Sequence, residues 1–193
     1  VWGEMVTRIL GVHDFREASR DHVGELTVIR GALAQTLLWQ SPAFAEYGYR
    51  YSPDEVRVRV REQLMLGATQ IKLTAGGGVA SPHSPLDVST FTEPELRAAV
   101  EAAENWGTYV TVHAYTPESI RRAIDAGVKC IEHGHLMDEP TAQLLAERDI
   151  WLSTQPFPPE TAEVFPPGSQ ERAKAVEVIA GTERTYRLAR EHK

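Results

Sequence analysis

Three side chains that could bind a metal ion or transfer protons recur at regular distances along the chain. Lys72 lies inside the apolar run Gln70-Ile71-Lys72-Leu73-Thr74, and His113 and His133 end two later runs of the same kind. A lysine inside an apolar strand must lose its charge, find a partner or be chemically modified. Neutral imidazoles are the commonest zinc ligands, and a lysine with a lowered pKa can react with carbon dioxide to form a carbamate. These residue types therefore indicate a cation site.

The position of these residues at strand ends makes the same point. In a parallel barrel the C-terminal ends of the strands converge on one mouth, where such enzymes keep their chemistry. A single histidine at a strand end is more often structural than functional. Two of them on consecutive strands, His113 and His133, beside the buried Lys72 favour a functional site. The run Gly76-Gly77-Gly78 then ends the first strand with residues that are free to adopt positive φ.

Strands and helices alternate from residue 52 onward, with a period of roughly 20 to 40 residues. Each helix is predicted to begin at a cap-and-proline or acidic signal and to end at a glycine or polar turn. The predicted strands are 26–31, 70–74, 109–113, 128–133 and 150–154, and the predicted helices begin near Pro53, Glu93, Pro117, Glu139 and Gln170. This alternation is typical of βα units around a parallel sheet.

The fold class predicted from this alternation is α/β, an incomplete (β/α)8 TIM barrel. No Gly-x-Gly-x-x-Gly fingerprint favours a doubly wound sheet instead. We count about five βα units, fewer than a closed barrel requires, and 193 residues are short of the roughly 250 that such a barrel needs. Residues 1–193 are therefore expected to form one partial barrel domain, without its first and last strands or any flanking β-sandwich.

Composition restricts the partners and the compartment. The net charge of −7 argues against a nucleic-acid surface, and no apolar run reaches the roughly 20 residues of a membrane helix. Cys130 is the only cysteine, which excludes an internal disulfide and favours a reducing, cytoplasmic compartment. The first residue is Val1, so we expect that the true beginning is missing.

Three motifs together resemble the amidohydrolase superfamily, in particular its prolidase-like and arginine-carboxypeptidase-like metallopeptidases. They are Ile71-Lys72-Leu73-Thr74-Ala75-Gly76-Gly77-Gly78-Val79, His113-Ala114-Tyr115-Thr116 and Ile131-Glu132-His133-Gly134. The resemblance covers residues 52–155 well and the rest loosely. It implies a binuclear zinc site in which Lys72 is the carbamylated bridging ligand, while His113 and His133 hold the second metal. The implied reaction is hydrolysis of a peptide or amide bond.

The resemblance also implies residues that contact the substrate. Tyr115 would hydrogen-bond the substrate carboxylate or the developing oxyanion. Gly76, Gly77 and Gly78 would let the backbone approach the substrate closely, although a plain turn explains them equally well. His135 is expected to be a loop residue near the site. The substrates expected are Xaa-Pro or Xaa-Arg dipeptides and N-acyl amino acids.

Two features of the family are missing from the sequence. No His-x-His pair precedes Lys72, because His13 and His22 are isolated, and the chain ends before a strand that could carry the family's catalytic aspartate. We therefore expect this chain to be a fragment with little hydrolytic activity of its own. His83, Asp87 and His192 are expected to be solvated rather than ligands. The proline-rich segment 155–169 is a candidate lid, with a stiff surface loop as the alternative.

Two other functions remain open. In the first, the chain is a non-catalytic barrel fragment that self-associates as a homo-oligomer, because a half-open sheet leaves unpaired strand edges, and it keeps at most a residual metal site. In the second, a lyase or isomerase uses Lys72 as a Schiff base, and the run from Gly76 to Gly78 cradles a phosphate. The second leaves the paired histidines without a role.

Overall fold

A computed structural model describes residues 52–81 and 84–192. Four βα units follow one another, and a short 3₁₀ helix and a long helix come after the last strand. The elements are α1 Pro53–Met65, β1 Ile71–Thr74, α2 Glu93–Glu104, β2 Val110–Ala114, α3 Pro117–Asp125, β3 Cys130–His133, α4 Glu139–Glu147, β4 Trp151–Ser153, the 3₁₀ helix Pro159–Val164 and α5 Gln170–Glu191. The predicted strand 26–31 lies outside the described residues.

Helix ends follow the signals read from the sequence. The Ser52 hydroxyl accepts from the Glu55 amide at 3.3 Å, and the Glu55 carboxylate accepts from the Ser52 amide at 2.7 Å, which caps α1 from both directions. Gly67 and Gly107, which follow α1 and α2, have φ of 94° and 76°. Because this left-handed conformation strains other residues, glycine ends both helices.

The four strands form a parallel sheet in the order β1-β2-β3-β4. The pleat divides it into two faces. Ile71, Leu73, Val110, Val112, Ala114 and Ile131 pack with the helices in one apolar core. The opposite face carries two rows of polar side chains in register, Lys72 with Thr111 and Cys130, and Thr74 with His113 and Glu132. The C-terminal ends of the strands therefore present polar groups side by side.

The long helix α5 lies against the C-terminal ends of these strands. The Thr185 hydroxyl donates to the Gly134 carbonyl at 3.3 Å, and the backbone of Gly181 approaches the His135 carbonyl so closely that a Cβ atom would lie 1.9 Å from the oxygen. His192 follows α5 and was expected to be solvated. Its side chain is instead only 25% exposed and lies 3.9 Å from the Glu139 carboxylate, because α5 packs beside α4.

The sheet and its helices are thus part of a (β/α)8 barrel, as predicted. Each of β1 and β4 has one edge that no other strand within 52–81 and 84–192 pairs with. Self-association through these edges stays a prediction. Over the same residues, no helix is long and apolar enough to cross a membrane.

Candidate functional site

The rings of His113 and His133 lie in contact at the C-terminal ends of β2 and β3. Their centroids are 4.4 Å apart, and the planes are inclined by 68°. His113 reaches this position because its side chain projects from the polar face of the sheet. His133 has a left-handed backbone with φ of 77°, which turns its side chain away from the direction that the strand alternation would give. Both histidines are therefore brought to one place.

The orientation of the His113 ring is fixed by the loop after β1. Its Nε2 lies 2.9 Å from the Gly77 carbonyl, which can only accept, so Nε2 carries the proton. Burial, and to a smaller extent the charge of Lys72, lower the pKa of His113 to about 4, although the bond to Gly77 opposes the shift. The ring is thus neutral at physiological pH, and its lone pair is on Nδ1.

His133 is held by Gln155, the second residue after β4. The Gln155 side-chain amide lies 2.7 Å from His133 Nδ1. With the amide nitrogen toward the ring, Nδ1 accepts; with the amide reversed, Nδ1–H donates to the oxygen and Nε2 holds the lone pair. Burial, followed by the charges of His113, Lys72 and His135, lowers the pKa of His133 well below its usual range, although the Gln155 bond opposes the shift. This imidazole is also neutral.

Lys72 has a carboxylate partner that the sequence did not identify. Its ammonium forms an ion pair with Glu132, whose other carboxylate oxygen accepts from the Thr111 hydroxyl at 3.2 Å. Burial lowers the pKa of Lys72 to about 8, although the interaction with the nearby Cys130 acts in the opposite direction. The charge of Lys72 affects the pKa of both His113 and His133. Lys72 also projects from the same polar face of the sheet as His113, which places it toward the histidine pair.

Tyr115 and His135 lie next to the histidine pair. The Tyr115 ring is 4.8 Å from His113 and 5.0 Å from His133, and burial raises its pKa, so the hydroxyl stays a donor. His135 Nε2 donates to the Gln155 carbonyl at 2.8 Å, and its buried Nδ1 has no partner among the described residues. The site therefore combines a neutral donor with a buried acceptor.

The glycine run does not use the positive φ that its residues are free to adopt. Gly76, Gly77 and Gly78 do not adopt positive φ. Glycine is required at position 77 for another reason, because a Cβ atom there would lie 1.6 Å from the Pro85 carbonyl oxygen. The close approach that glycine permits at position 77 is thus to another segment of the same chain, at Pro85. That the run also contacts a substrate stays a prediction.

The donor set is compatible with a divalent metal ion. Two neutral imidazoles suit zinc, cobalt or manganese, and a carbamate on Lys72 would add an anionic oxygen ligand. Within residues 52–81 and 84–192, no three His, Cys, Asp or Glu side chains are close enough to hold a metal together. A complete site therefore needs the modified lysine or ligands from outside these ranges.

Residues 4–178 match the sequence model of the amidohydrolase family, which is most of the chain. The chain belongs to the amidohydrolase family. Among its solved relatives, a prolidase in complex with N-methylphosphonate-L-proline is 37% identical with a TM-score of 0.68, over 74% of this chain and 36% of the relative. A Xaa-Pro dipeptidase with bound methionine is 35% identical with a TM-score of 0.67, over the same shares.

Half of the chain is also similar in sequence to a curated fungal protein. The ochratoxinase of Aspergillus niger is 37% identical to this amidohydrolase over 97 residues, which are 50% of this chain and 20% of the relative. The chain thus spans about a third of the length of the solved relatives and a fifth of the ochratoxinase.

Two residues of the site were not singled out from the sequence. Glu132 lies within the Ile131-Glu132-His133-Gly134 motif, and its place one residue before His133 in a strand could have suggested that it faces Lys72. Gln155 had no comparable signal, because its contact with His133 depends on where the chain runs after β4.

Proposed function

We propose that this chain carries part of the metal site of an amidohydrolase that cleaves peptide or amide bonds in small substrates. The observation that carries the proposal is the pair of half-buried, neutral imidazoles, His113 and His133, with rings 4.4 Å apart at adjacent strand ends. Xaa-Pro dipeptides are the proposed substrates, because solved relatives at 35% and 37% identity are a Xaa-Pro dipeptidase and a prolidase.

The proposed cofactor is zinc, held by His113, His133 and a carbamate on Lys72. The Lys72 ammonium would first lose one proton to solvent, and the free amine would then add to carbon dioxide: an N–C bond forms, one C–O π bond opens to an oxygen anion, and the second proton passes from nitrogen to the Glu132 carboxylate. Loss of a positive charge and gain of a negative one would suit a cation beside the two imidazoles. When bound, the metal would polarise the scissile carbonyl and supply activated water.

The surrounding side chains would bind and orient the substrate. The protonated Tyr115 hydroxyl is a donor for a carbonyl oxygen that gains negative charge. The buried Nδ1 of His135 is an acceptor for an amide N–H, because its Nε2 proton is already given to the Gln155 carbonyl. Burial of the site excludes water and strengthens both interactions.

The Schiff-base alternative loses its phosphate cradle. The Gly76 amide donates to the His113 carbonyl at 3.0 Å, and the Gly78 amide donates to the Ser84 hydroxyl at 3.1 Å. Two of the three amides of the run are therefore used within the chain. The lowered pKa of Lys72 suits either function, but only the metal site gives the two histidines a role.

The proposal is tested by ligand binding, which does not require turnover. The zinc-loaded chain is titrated calorimetrically with N-methylphosphonate-L-proline, with L-proline alone as the ligand control. We expect binding that requires zinc, is abolished in His113→Ala and is weakened in Tyr115→Phe. His192→Ala, which removes an imidazole outside the site, is the matched protein control and should bind as the wild type does. Binding that is equal without zinc or in His113→Ala would contradict the proposal.

A further inference from the structure

Lys174, on the first turns of α5, reaches into the loop that follows the glycine run. Its Nζ donates to the backbone carbonyls of Gly78 at 2.8 Å, Ser81 at 2.5 Å and Ser84 at 3.0 Å. An ammonium has three N–H donors, so this loop takes all of them. These three carbonyls converge on one partly buried ammonium. If the Lys174 side chain were removed, they would lose a charged hydrogen-bond donor.

The same loop carries the group that orients His113. The Gly77 carbonyl accepts from His113 Nε2 at 2.9 Å, and Gly77 is adjacent to Gly78, whose carbonyl Lys174 holds. The Gly78 amide donates to the Ser84 hydroxyl at 3.1 Å, which closes the loop on itself. A path of direct contacts therefore runs from the Lys174 ammonium, through the two peptide units that meet at the Gly78 Cα, to the His113 imidazole.

We propose that Lys174 is a positioning residue, which fixes the Gly77 carbonyl and thereby the orientation and tautomer of the His113 ring. Glycine residues have the largest backbone freedom, so a run of three does not hold a carbonyl in place without outside contacts. The ammonium supplies such contacts from another element of the fold. The consequence for metal binding rests on the proposed function, whereas the effect on the ring does not.

A purely structural role predicts a different outcome. If Lys174 only tied α5 to the body of the protein, its removal would lower stability and loosen all of the site that α5 covers. His135 reports this case, because α5 packs on its carbonyl and its ring is held by Gln155, not by the glycine loop. A positioning role requires that His113 changes and His135 does not.

The test compares Lys174→Met with wild type by the ¹⁵N chemical shifts of the ring nitrogens in the metal-free, full chain. Signals of His113 and His135 are assigned by their loss in His113→Gln and His135→Gln. The wild type should show His113 with its proton on Nε2. In Lys174→Met we expect the two nitrogens to move toward the averaged shifts of mixed tautomers, while His135 stays unchanged.

Three variants complete the design. Lys174→Arg, which keeps N–H donors for carbonyls, should restore most of the wild-type shift. Lys129→Met removes an exposed lysine and should have no effect. If Lys174→Met does not fold, Lys174→Gln keeps two N–H donors, and an intermediate His113 shift is then expected. Unchanged His113 shifts in folded Lys174→Met or Lys174→Gln, or equal changes at His113 and His135, would overturn the proposal.

A second readout links this inference to the metal site. If His113 is a ligand, Lys174→Met should weaken zinc binding by about 10- to 100-fold, as for other residues that orient metal ligands. The ¹⁵N shifts of the rings are measured without metal and test only the positioning role. Zinc affinity tests the metal site, so one proposal can be contradicted without the other. Altered shifts with unchanged zinc affinity would contradict the role of His113 as a ligand and leave Lys174 as its positioning residue.

Discussion

The imidazole rings of His113 and His133 are 4.4 Å apart although strand alternation assigns them to opposite faces of the sheet. His113 is in register with Glu132, so the next residue, His133, should face the helices together with its partner Ala114. A left-handed φ of 77° at His133, followed by 67° at Gly134, turns the chain and brings the ring to the site. Such a backbone costs on the order of 1–3 kcal/mol, which the surrounding contacts must offset.

Because the backbone at position 133 is strained, the stabilities of variants at this position should follow an unusual order. Asparagine tolerates the left-handed region and a β-branched residue does not. We therefore expect His133→Val to be less stable to urea than His133→Asn by about 1 kcal/mol or more. The same pair at Ser153, an exposed position in β4, should show the reverse order, because valine favours strands. Equal stability of the two variants at position 133 would show that the backbone there is not strained.

At Gly181 we expect the usual effect of a glycine-to-alanine change on helix stability to be reversed. Replacing a glycine in the middle of a helix with alanine usually stabilises a protein by about 0.5–1 kcal/mol. In α5 the new Cβ atom would lie 1.9 Å from the His135 carbonyl oxygen, so the helix would have to move away from the site. We expect Gly181→Ala to destabilise the chain by roughly 1–3 kcal/mol in urea unfolding. Glu183→Ala, at an exposed position of the same helix, is the control, and a stabilised Gly181→Ala would refute the close packing.

Adjacent glycines in the loop should respond differently to the same change. A Cβ atom at Gly77 would lie 1.6 Å from the Pro85 carbonyl, whereas at Gly78 the nearest atom is the Ser81 hydroxyl at 3.3 Å. The Pro85 carbonyl belongs to the backbone and cannot move without shifting the loop, whereas the Ser81 hydroxyl can rotate away. Gly77→Ala should therefore lower the melting temperature and disturb the His113 ring signals, while Gly78→Ala should do little of either. Similar melting temperatures for both variants would count against the loop structure described here.

Asp138 predicts a dependence of stability on pH. Its carboxylate accepts from Arg121 Nη2 at 2.7 Å and from the Thr141 amide at 3.0 Å. Burial acts to raise the pKa of Asp138, but hydrogen bonds from Thr141 and Arg121 outweigh it, so the pKa is lowered. A lowered pKa adds stability above the pKa of the unfolded chain, about 3.9, and this stability is lost as the pH falls through the folded pKa.

Denaturation across pH measures this contribution. We expect Asp138→Asn, which keeps a capping side chain, to be less stable than wild type at pH 7 by less than about 1 kcal/mol, because the pair with Arg121 is partly exposed. The difference should shrink below about pH 4. Asp87→Asn, at an exposed position, is the control. A stability difference for Asp138→Asn that stays constant from neutral to acid pH would contradict the role of its charge.

Local signals were enough to predict the strands and α-helices of the described residues, but not the 3₁₀ helix Pro159–Val164 within the proline-rich segment. Proline, acidic and glycine positions mark helix ends such as Ser52 and Gly67, and apolar runs mark the strands, because both effects act over a few residues. Parallel topology predicts that Lys72, His113 and His133 end at the same edge of the sheet, but His133 reaches the other two only through its left-handed backbone. By contrast, Gln155 and Lys174 act through contacts made by segments after β4, and their distance in sequence from His133 and Gly78 leaves no local pattern.

The conformation of the glycine run could not be predicted for a related reason. Three glycines permit positive φ but do not require it. Packing of Gly77 against the Pro85 carbonyl selects an ordinary conformation, and it depends on how a later part of the loop folds back. His133 shows the converse, because nothing in its residue type predicts φ of 77°.

The most direct test of a shared cation site is an equilibrium zinc titration of the full chain in bicarbonate buffer, against a chromophoric chelator. We expect about one zinc per chain, with affinity at least about 100-fold weaker in His113→Ala, His133→Ala and Lys72→Met than in wild type, since each removes a ligand. Removing bicarbonate should weaken binding in wild type but not in Lys72→Met. His192→Ala should match wild type. Wild-type zinc affinity in His113→Ala and His133→Ala would contradict the central claim that these residues hold a metal together.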